Sequence, residues 1–188
     1  ALRKLQAAER PVWVAASTHD GEESVLLNAH VLIRQQHPQA LLLLVPRHPE
    51  RFSEVAALVD SRGFVQVSRS SAAIADQRTT VFLGDTMGEL MAFYACADVA
   101  FVGGSLQAIG GHNLLEPAAV GTAMVTGPHL HNFVEISRRL QEAGALEIRD
   151  DPDSVATAVV ELLGNAASRE AMATAGRLLV EQGRGALV

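Results

Sequence analysis

Short apolar runs alternate with amphipathic segments along the chain, and this alternation limits the folds that it can adopt. The run from Ala40 to Val45 is almost purely apolar, which is typical of a parallel strand covered on both faces. Further strands are predicted at residues 11–16, 64–68, 80–83, 99–102 and 123–126. Helices are predicted at residues 25–36, 49–61, 89–96, 113–120, 133–143, 152–163 and 168–182. Strands separated by helices indicate βαβ units, so we expect an α/β fold with a doubly wound, mostly parallel sheet.

Length and composition fit one such domain. The chain has 188 residues, of which 48% are hydrophobic and 19% are charged, so it is large enough to bury a core. The net charge of −6 argues against nucleic acid as a partner, because polyanion binders are normally basic. Cys96 is the only cysteine and lies in an apolar setting, where we expect it to pack. Since no apolar run reaches roughly 18 residues, a soluble chain is expected.

The loops after the strands are the candidate ligand sites, because a doubly wound sheet binds ligands beyond the carboxyl ends of its strands. These loops lie at residues 17–21, 46–49, 84–88, 103–113 and 127–131. In the first loop, Asp20 is a candidate helix cap, with Glu23 completing a capping box.

The loop from Gly103 to Asn113 is rich in glycine and leads into a predicted helix. Free amides at such a helix start suit a phosphate, whereas the alternative is a flexible turn with an Asn cap. Glu116 in the first turn of that helix either favours the helix dipole or accepts the hydroxyls of a ribose. The spacing of the glycines matches neither a Walker loop nor a dinucleotide fingerprint.

Two further loops carry candidate nucleotide contacts. Arg47 follows the most buried strand between Pro46 and His48, where it either contacts a ligand anion or is a solvated side chain. Met87 and Gly88 lie in a loop that suits a nucleobase. In the alternative interpretation, Asp85 or Thr86 of that loop only caps the next helix.

The histidines do not indicate a metal site. Several of them lie in candidate ligand loops, at positions 19, 112, 129 and 131, but their spacing is not that of metal ligands. No pattern of a nucleophile with its base is recognisable either, so no catalytic residue and no metal are predicted in this chain.

Taken together and in this order, the loops resemble one family. The motifs are Ser17–Glu23, Pro46–Arg51, Gly84–Leu90, Gly103–Ser105 and Gly110–Ala118. They resemble the C-terminal domain of bacterial 3-deoxy-D-manno-octulosonic acid (Kdo) transferases, and the resemblance covers essentially the whole chain. It implies a Rossmann-like domain that forms the C-terminal half of a GT-B fold. Residues 1–10 would then be the end of the connection to an absent N-terminal acceptor domain, and the last residues would lie in the C-terminal tail.

The resemblance also implies a substrate and its contacts. The family transfers Kdo from CMP-Kdo to the lipid A precursor of lipopolysaccharide at the cytoplasmic face of the bacterial inner membrane, without a cofactor or metal. Membrane contact is expected only in the full-length enzyme, and the general base is a Glu in the N-terminal domain. The CMP contacts implied in this chain are Pro46, Arg47, Met87, Gly88, Glu89, Asn113, Leu114, Leu115 and Glu116. His48, Gly111 and His112 are plausible neighbours.

Two alternatives stay open at this stage. One is the donor domain of another GT-B enzyme, either a UDP-sugar glycosyltransferase or a UDP-sugar 2-epimerase, which would share the phosphate and ribose sites. The other is a non-catalytic α/β binding module, such as a receiver-like domain. That class predicts an acidic pocket after the first strand, which Ser17, Thr18 and His19 do not provide.

Overall fold

A computed structural model describes residues 9–185. The strands are β1 (Val12–Thr18), β2 (Leu41–Pro46), β3 (Gln66–Ser68), β4 (Val81–Leu83), β5 (Val99–Val102), β6 (Ala123–Thr126) and β7 (Leu146–Ile148). The α-helices are α1 (Glu22–Gln36), α2 (Phe52–Ser61), α3 (Leu90–Cys96), α4 (Leu115–Val120), α5 (Val134–Glu142), α6 (Pro152–Gly164) and α7 (Ala166–Gly185). Single 3₁₀ turns lie at Pro49–Arg51 and Arg69–Ser71.

All strands belong to one parallel sheet with the order β3-β4-β2-β1-β5-β6-β7. The chain first forms one side of the sheet, where β4 inserts between β2 and β3, and then crosses back to place β5 on the other side of β1. The strand order therefore reverses between β1 and β5, which is where doubly wound sheets open a crevice for a ligand. The predicted fold class, a Rossmann-like doubly wound parallel sheet, is confirmed.

Side chains of alternating positions in each strand pack on opposite faces of the sheet. On one face Trp13, Leu42 and Phe101 pack with helices α1, α2 and α6. On the other face, Val14 and Phe82 pack with α3, and the β5 and β6 end of that face packs with α4, α5 and α7. Every residue of β2 is buried, so the prediction that this run is a central strand is confirmed.

Several local predictions differ from the structure. The predicted capping box at Asp20 is wrong, because Gly21 is the cap of α1 and Glu23 instead accepts the hydroxyl of buried Thr18. The helix predicted from Asn113 begins at Leu115. Strand β7 was not predicted, because an edge strand of three residues with one buried side chain gives little periodic signal.

Cys96 is buried in the core, as expected from its apolar setting, and its thiol donates to the Phe93 carbonyl at 3.3 Å. None of the described helices is long and apolar enough to cross a bilayer. The predicted connection at residues 1–10 lies almost entirely outside the described part of the chain, which begins at Glu9.

Candidate functional site

A cavity of about 360 Å³ opens at the carboxyl edge of the sheet, beyond β1, β2, β4 and β5. Its walls come from the loops after these strands together with α3, α4 and the residue before α5. The lining residues are Ser17, Val45, Pro46, Arg47, Thr86, Met87, Gly88, Leu90, Tyr94, His112, Asn113, Glu116 and Phe133. The parallel sheet brings these loops together because all of its strands end at the same edge.

Most of the residues proposed as CMP contacts meet in this cavity. Those that line it are Pro46, Arg47, Met87, Gly88, Asn113 and Glu116. Glu89, Leu114 and Leu115 are not among its lining residues. If these three residues affect the binding of a nucleotide, they do so through their backbone atoms or by fixing the shape of the loop.

Glu89 holds the loop between β4 and α3 in shape. Its carboxylate pairs with Arg69 at 2.9 Å and accepts the hydroxyl of Thr86. These two hydrogen bonds, Arg69 first, lower the pKa of Glu89 below its usual value. Since Thr86 lines the cavity, Glu89 acts on the site through Thr86 and the backbone of the loop.

The start of α4 is organised by Asn113. The Asn113 side-chain oxygen accepts the Leu115 N–H at 3.0 Å, an Asx turn that leads into the helix, whose N-cap residue is Leu114. Leu114 is fully buried in the core, so its side chain cannot face a ligand. Within the described part of the chain, Glu116 receives only a long hydrogen bond of 3.4 Å from the Asn113 amide, which leaves its carboxylate able to accept others in the cavity.

Arg47 is exposed at the rim of the cavity. Its backbone N–H donates to the Thr18 carbonyl at 3.0 Å, which fixes the turn after β2 to the end of β1. Among residues 9–185 its guanidinium forms no hydrogen bond or ion pair, in contrast to Arg51 and Arg69, which both pair with carboxylates. A guanidinium held at a cavity without a carboxylate partner suits a phosphate.

Glu22 organises the glycine-rich loop, a role that the sequence did not reveal. Its carboxylate is fully buried and accepts the backbone N–H groups of His19, Gly104, Ser105 and Leu106 at 2.8 to 2.9 Å. The amides of residues 104–106 are therefore occupied by a carboxylate of the protein itself. A ligand phosphate has to find its donors elsewhere in the cavity.

Three histidines from three loops cluster beside Arg47. The His19 and His112 rings lie 9° from parallel, and their Nε2 atoms are 2.7 Å apart. His48 meets His19 edge to face with 5.2 Å between ring centroids. Burial lowers the pKa of His112 to about 4, and the neighbouring His19 and Arg47 add to this effect. Burial also lowers the pKa of His19, which nearby Glu22 partly opposes.

Other lining residues were missed because nothing in their sequence context marks them. The sequence places Tyr94 on an apolar helix face, yet it reaches the cavity from the core while only 1% exposed. Burial raises the pKa of its hydroxyl far above the usual value, with a further contribution from Glu116. Ser17 has a φ of 56° at a register shift in β1, an unusual backbone angle for a non-glycine residue. Within residues 9–185, no group of His, Cys, Asp and Glu could hold a metal ion.

Comparison with known proteins decides the family. The model of the family described as "Glycosyl transferases group 1" matches residues 9–179. The chain belongs to the group 1 glycosyl transferases. This placement agrees with the fold and with the position of the cavity at the switch point of the sheet.

Among the group 1 glycosyl transferases, the chain is homologous to Kdo transferases. It is 47% identical over 187 residues to the 3-deoxy-D-manno-octulosonic acid transferase of Haemophilus influenzae, matching 99% of this chain but 44% of that relative. The chain thus spans less than half the length of this curated relative. A crystal structure of the C-terminal CMP-Kdo binding domain of WaaA from Acinetobacter baumannii is 34% identical and superposes with a TM-score of 0.90. The match covers 96% of this chain and 94% of that domain, so the fold is that of the C-terminal domain of a GT-B enzyme.

A more distant structure shares only the fold. The putative UDP-N-acetylglucosamine 2-epimerase of Listeria monocytogenes is 14% identical with a TM-score of 0.62, covering 92% of this chain and 40% of that protein. At this identity the likeness concerns architecture, so it does not favour the alternative of a UDP-sugar enzyme.

Proposed function

We propose that this group 1 glycosyl transferase domain binds the donor CMP-Kdo for a transferase that adds Kdo to the lipid A precursor. The observation that carries the proposal is the cavity at the carboxyl edge of the sheet, where Arg47, Met87, Gly88, Asn113 and Glu116 meet. The proposal is further supported by the high similarity of this chain to a domain described as CMP-Kdo binding. The acceptor, and the cytoplasmic face of the inner membrane as the place of reaction, belong to the proposal for the whole enzyme.

Each part of CMP has a candidate contact. The cytosine would lie against Met87 and Gly88, since Met87 is 60% exposed and offers an apolar surface at the rim. The Glu116 carboxylate would accept the ribose hydroxyls. Arg47 would neutralise the phosphate by charge-assisted hydrogen bonds.

The chemistry of transfer follows from the charge of the leaving group. When the bond from Kdo to the phosphate breaks, CMP departs with an additional negative charge, and Arg47 stabilises that charge without the aid of a metal. The acceptor hydroxyl loses its proton to a carboxylate of the other domain, which acts as the general base. Closure of the two domains then excludes water from the reacting groups.

Calorimetric titration with CMP, UMP, UDP and NAD tests the proposal. We expect saturable binding of CMP, with UMP and UDP weaker and NAD unbound. Stronger binding of UDP than of CMP would instead indicate that the chain is the donor domain of a UDP-sugar enzyme. Binding of NAD without CMP would refute a donor site for CMP-Kdo.

A further inference from the structure

The pair of His19 and His112 lies at the switch point of the sheet, between the loops that follow β1 and β5. Its geometry is built into the fold. The Glu22 carboxylate fixes the backbone of His19, and a Cβ at Gly104 would approach the His112 ring to 2.7 Å. Gly104 also has a φ of 68°, so the loop passes under the two rings only because this residue is glycine.

The contact between the two rings requires a proton. Two imidazole nitrogens 2.7 Å apart form a hydrogen bond only if one of them donates and the other accepts. In the neutral pair one Nε2–H serves as the donor. A second proton can enter at Nδ1 of the donating ring without breaking this bond, which turns the pair into a cation. Neither Nδ1 atom hydrogen bonds to another residue of the described chain.

The charges around the pair determine the pH at which that second proton binds. Arg47 and His48 disfavour a positive charge on both rings, while Glu22 favours it. Glu23 also favours the charge on His19, although its carboxylate is engaged with Arg51. Burial is the largest effect and lowers the pKa of both rings. The pair is therefore neutral near pH 7 without a ligand, and an anion placed beside it would draw in one proton.

The order of the loops along the edge of the sheet indicates which anionic group of a ligand would lie beside the histidine pair. Proceeding from β4 through β2 and β1 to β5, the edge of the sheet presents Met87, then Arg47, then the histidine pair, of which His112 lines the cavity and His19 lies against His112. A donor with its base at Met87 and its phosphate at Arg47 extends its sugar toward His19 and His112. Kdo is a sugar acid, so this end of the donor carries a carboxylate.

We propose that His19 and His112 together bind the carboxylate of the donor sugar and take up one proton from solvent as they do so. This inference rests on the proposed function and adds a specificity-determining site to it. A donor whose sugar has no carboxylate would gain nothing from the pair, so the pair would distinguish sugar acids from neutral sugars.

The first test compares two probes, CMP and freshly prepared CMP-Kdo, at pH 7.5. In the variants His19→Asn and His112→Asn, the dissociation constant of CMP-Kdo should rise on the order of 5–10-fold, as for loss of a charge-assisted hydrogen bond. The dissociation constant of CMP should rise clearly less than that of CMP-Kdo, because CMP lacks the sugar carboxylate. His129→Asn is the matched control, since His129 is an exposed histidine of the loop after β6 and does not line the cavity.

The second test is the pH dependence of CMP-Kdo binding. Its phosphodiester and carboxylate do not titrate between pH 6 and pH 8, so a change in affinity over this range reports on the protein. Binding by the wild type should tighten as the pH falls, and calorimetry in buffers of different ionisation enthalpy should give uptake of about one proton near pH 7. The variant His112→Gln keeps an amide to hydrogen bond with His19 but cannot be protonated, so it should remain folded and bind with a flatter pH profile.

The outcomes separate this inference from the proposed function. If the wild type binds CMP but the histidine variants lose affinity for CMP and CMP-Kdo equally, the pair acts on the nucleotide and the inference is refuted. Unchanged binding of both probes, with no proton uptake, refutes it as well. If the wild type binds neither probe, the proposed function itself fails, and the carboxylate site fails with it.

Discussion

The carboxylate of Glu22 accepts the backbone N–H of Gly104 at 2.8 Å, across 82 positions of sequence. This contact joins the first residue of α1, just after the loop that follows β1, to the loop after β5, and these two loops lie on either side of the switch point. The Glu22 carboxylate therefore accepts hydrogen bonds from backbone N–H groups that a glycine-rich loop would otherwise offer to a phosphate. In the proposed donor site, Arg47 is the arginine that lines the cavity.

Replacing Glu22 with glutamine should destabilise the protein. The amide nitrogen of the new side chain would face backbone N–H groups that need an acceptor, and the charge-assisted character of the other hydrogen bonds would be lost. We expect the free energy of unfolding to fall by roughly 2–4 kcal/mol, measured by urea denaturation. The exposed Glu161→Gln on α6 is the control and should change it by less than about 0.5 kcal/mol. Equal effects of the two changes would contradict the role of Glu22.

Arg47→Ala should weaken the binding of CMP by about 1.5–3 kcal/mol, the scale of a charge-assisted hydrogen bond. Cytidine, which has no phosphate, should lose much less. Calorimetry with both ligands measures the difference, and Arg78→Ala is the control because Arg78 is an exposed arginine away from the cavity. The same loss for CMP and cytidine would mean that Arg47 does not contact the phosphate.

Glu116→Gln should weaken CMP more than it weakens 2′,3′-dideoxy-CMP. The carboxylate can accept two ribose hydroxyls, whereas the amide offers one acceptor, and the dideoxy ligand has no hydroxyl to donate. We expect about a tenfold loss for CMP, equivalent to roughly 1.4 kcal/mol. An equal loss of affinity for both ligands would mean that Glu116 does not contact the ribose hydroxyls and acts only through the helix dipole.

Stability should fall in mild acid because of His30. This ring is fully buried, accepts the Trp13 indole N–H and donates to the Thr80 carbonyl, and burial lowers its pKa to about 3. The unfolded chain takes up this proton below about pH 6.5 while the folded chain does not, so stability is lost as the pH falls from there toward 3. The slope is on the order of 1 kcal/mol per pH unit.

Urea denaturation at pH 7 and pH 5 checks this slope in the wild type and in His30→Gln. Glutamine can still accept from Trp13 and donate to Thr80, but it does not titrate. The variant should therefore lose less stability between the two pH values, although His19 and His112, whose pKa values are also lowered, still contribute. An identical pH dependence in both proteins would exclude His30 as the cause.

The chain by itself should fold and bind CMP but transfer no sugar. Its sheet is complete over the described residues, and the proposed nucleotide contacts all lie within residues 46–116. The acceptor site and the general base are expected in the other domain, so affinity should be modest and turnover absent. An assay with CMP-Kdo and lipid A precursor, run beside a CMP titration, checks both parts. Transfer of Kdo by this chain alone would contradict the assignment of the base.

The sequence predicted the architecture because its signals are local. The apolar run at β2 and the helical periodicity of α6 follow from burial of whole strand faces and helix stripes, which neighbouring residues report together. Parallel topology then places the loops after the strands at one edge of the sheet. That rule marked the loops of Arg47, Met87 and Glu116 as candidate ligand sites, the family resemblance implied that these residues contact one nucleotide, and the structure brings them to one cavity.

Tertiary structure alone decided which polar side chains pair with other groups of the protein and which remain available to a ligand. Glu22, Glu23 and Glu89 are all acidic residues near loops, yet the first binds backbone amides, the second pairs with Arg51 and the third pairs with Arg69. Likewise, the sequence places His19 and His112 in separate loops, 93 positions apart, and only the crossing of the chain between β1 and β5 makes them partners. A hydrogen bond depends on a distance of about 3 Å between two atoms, and periodicity fixes which face a residue lies on but not which atom it meets.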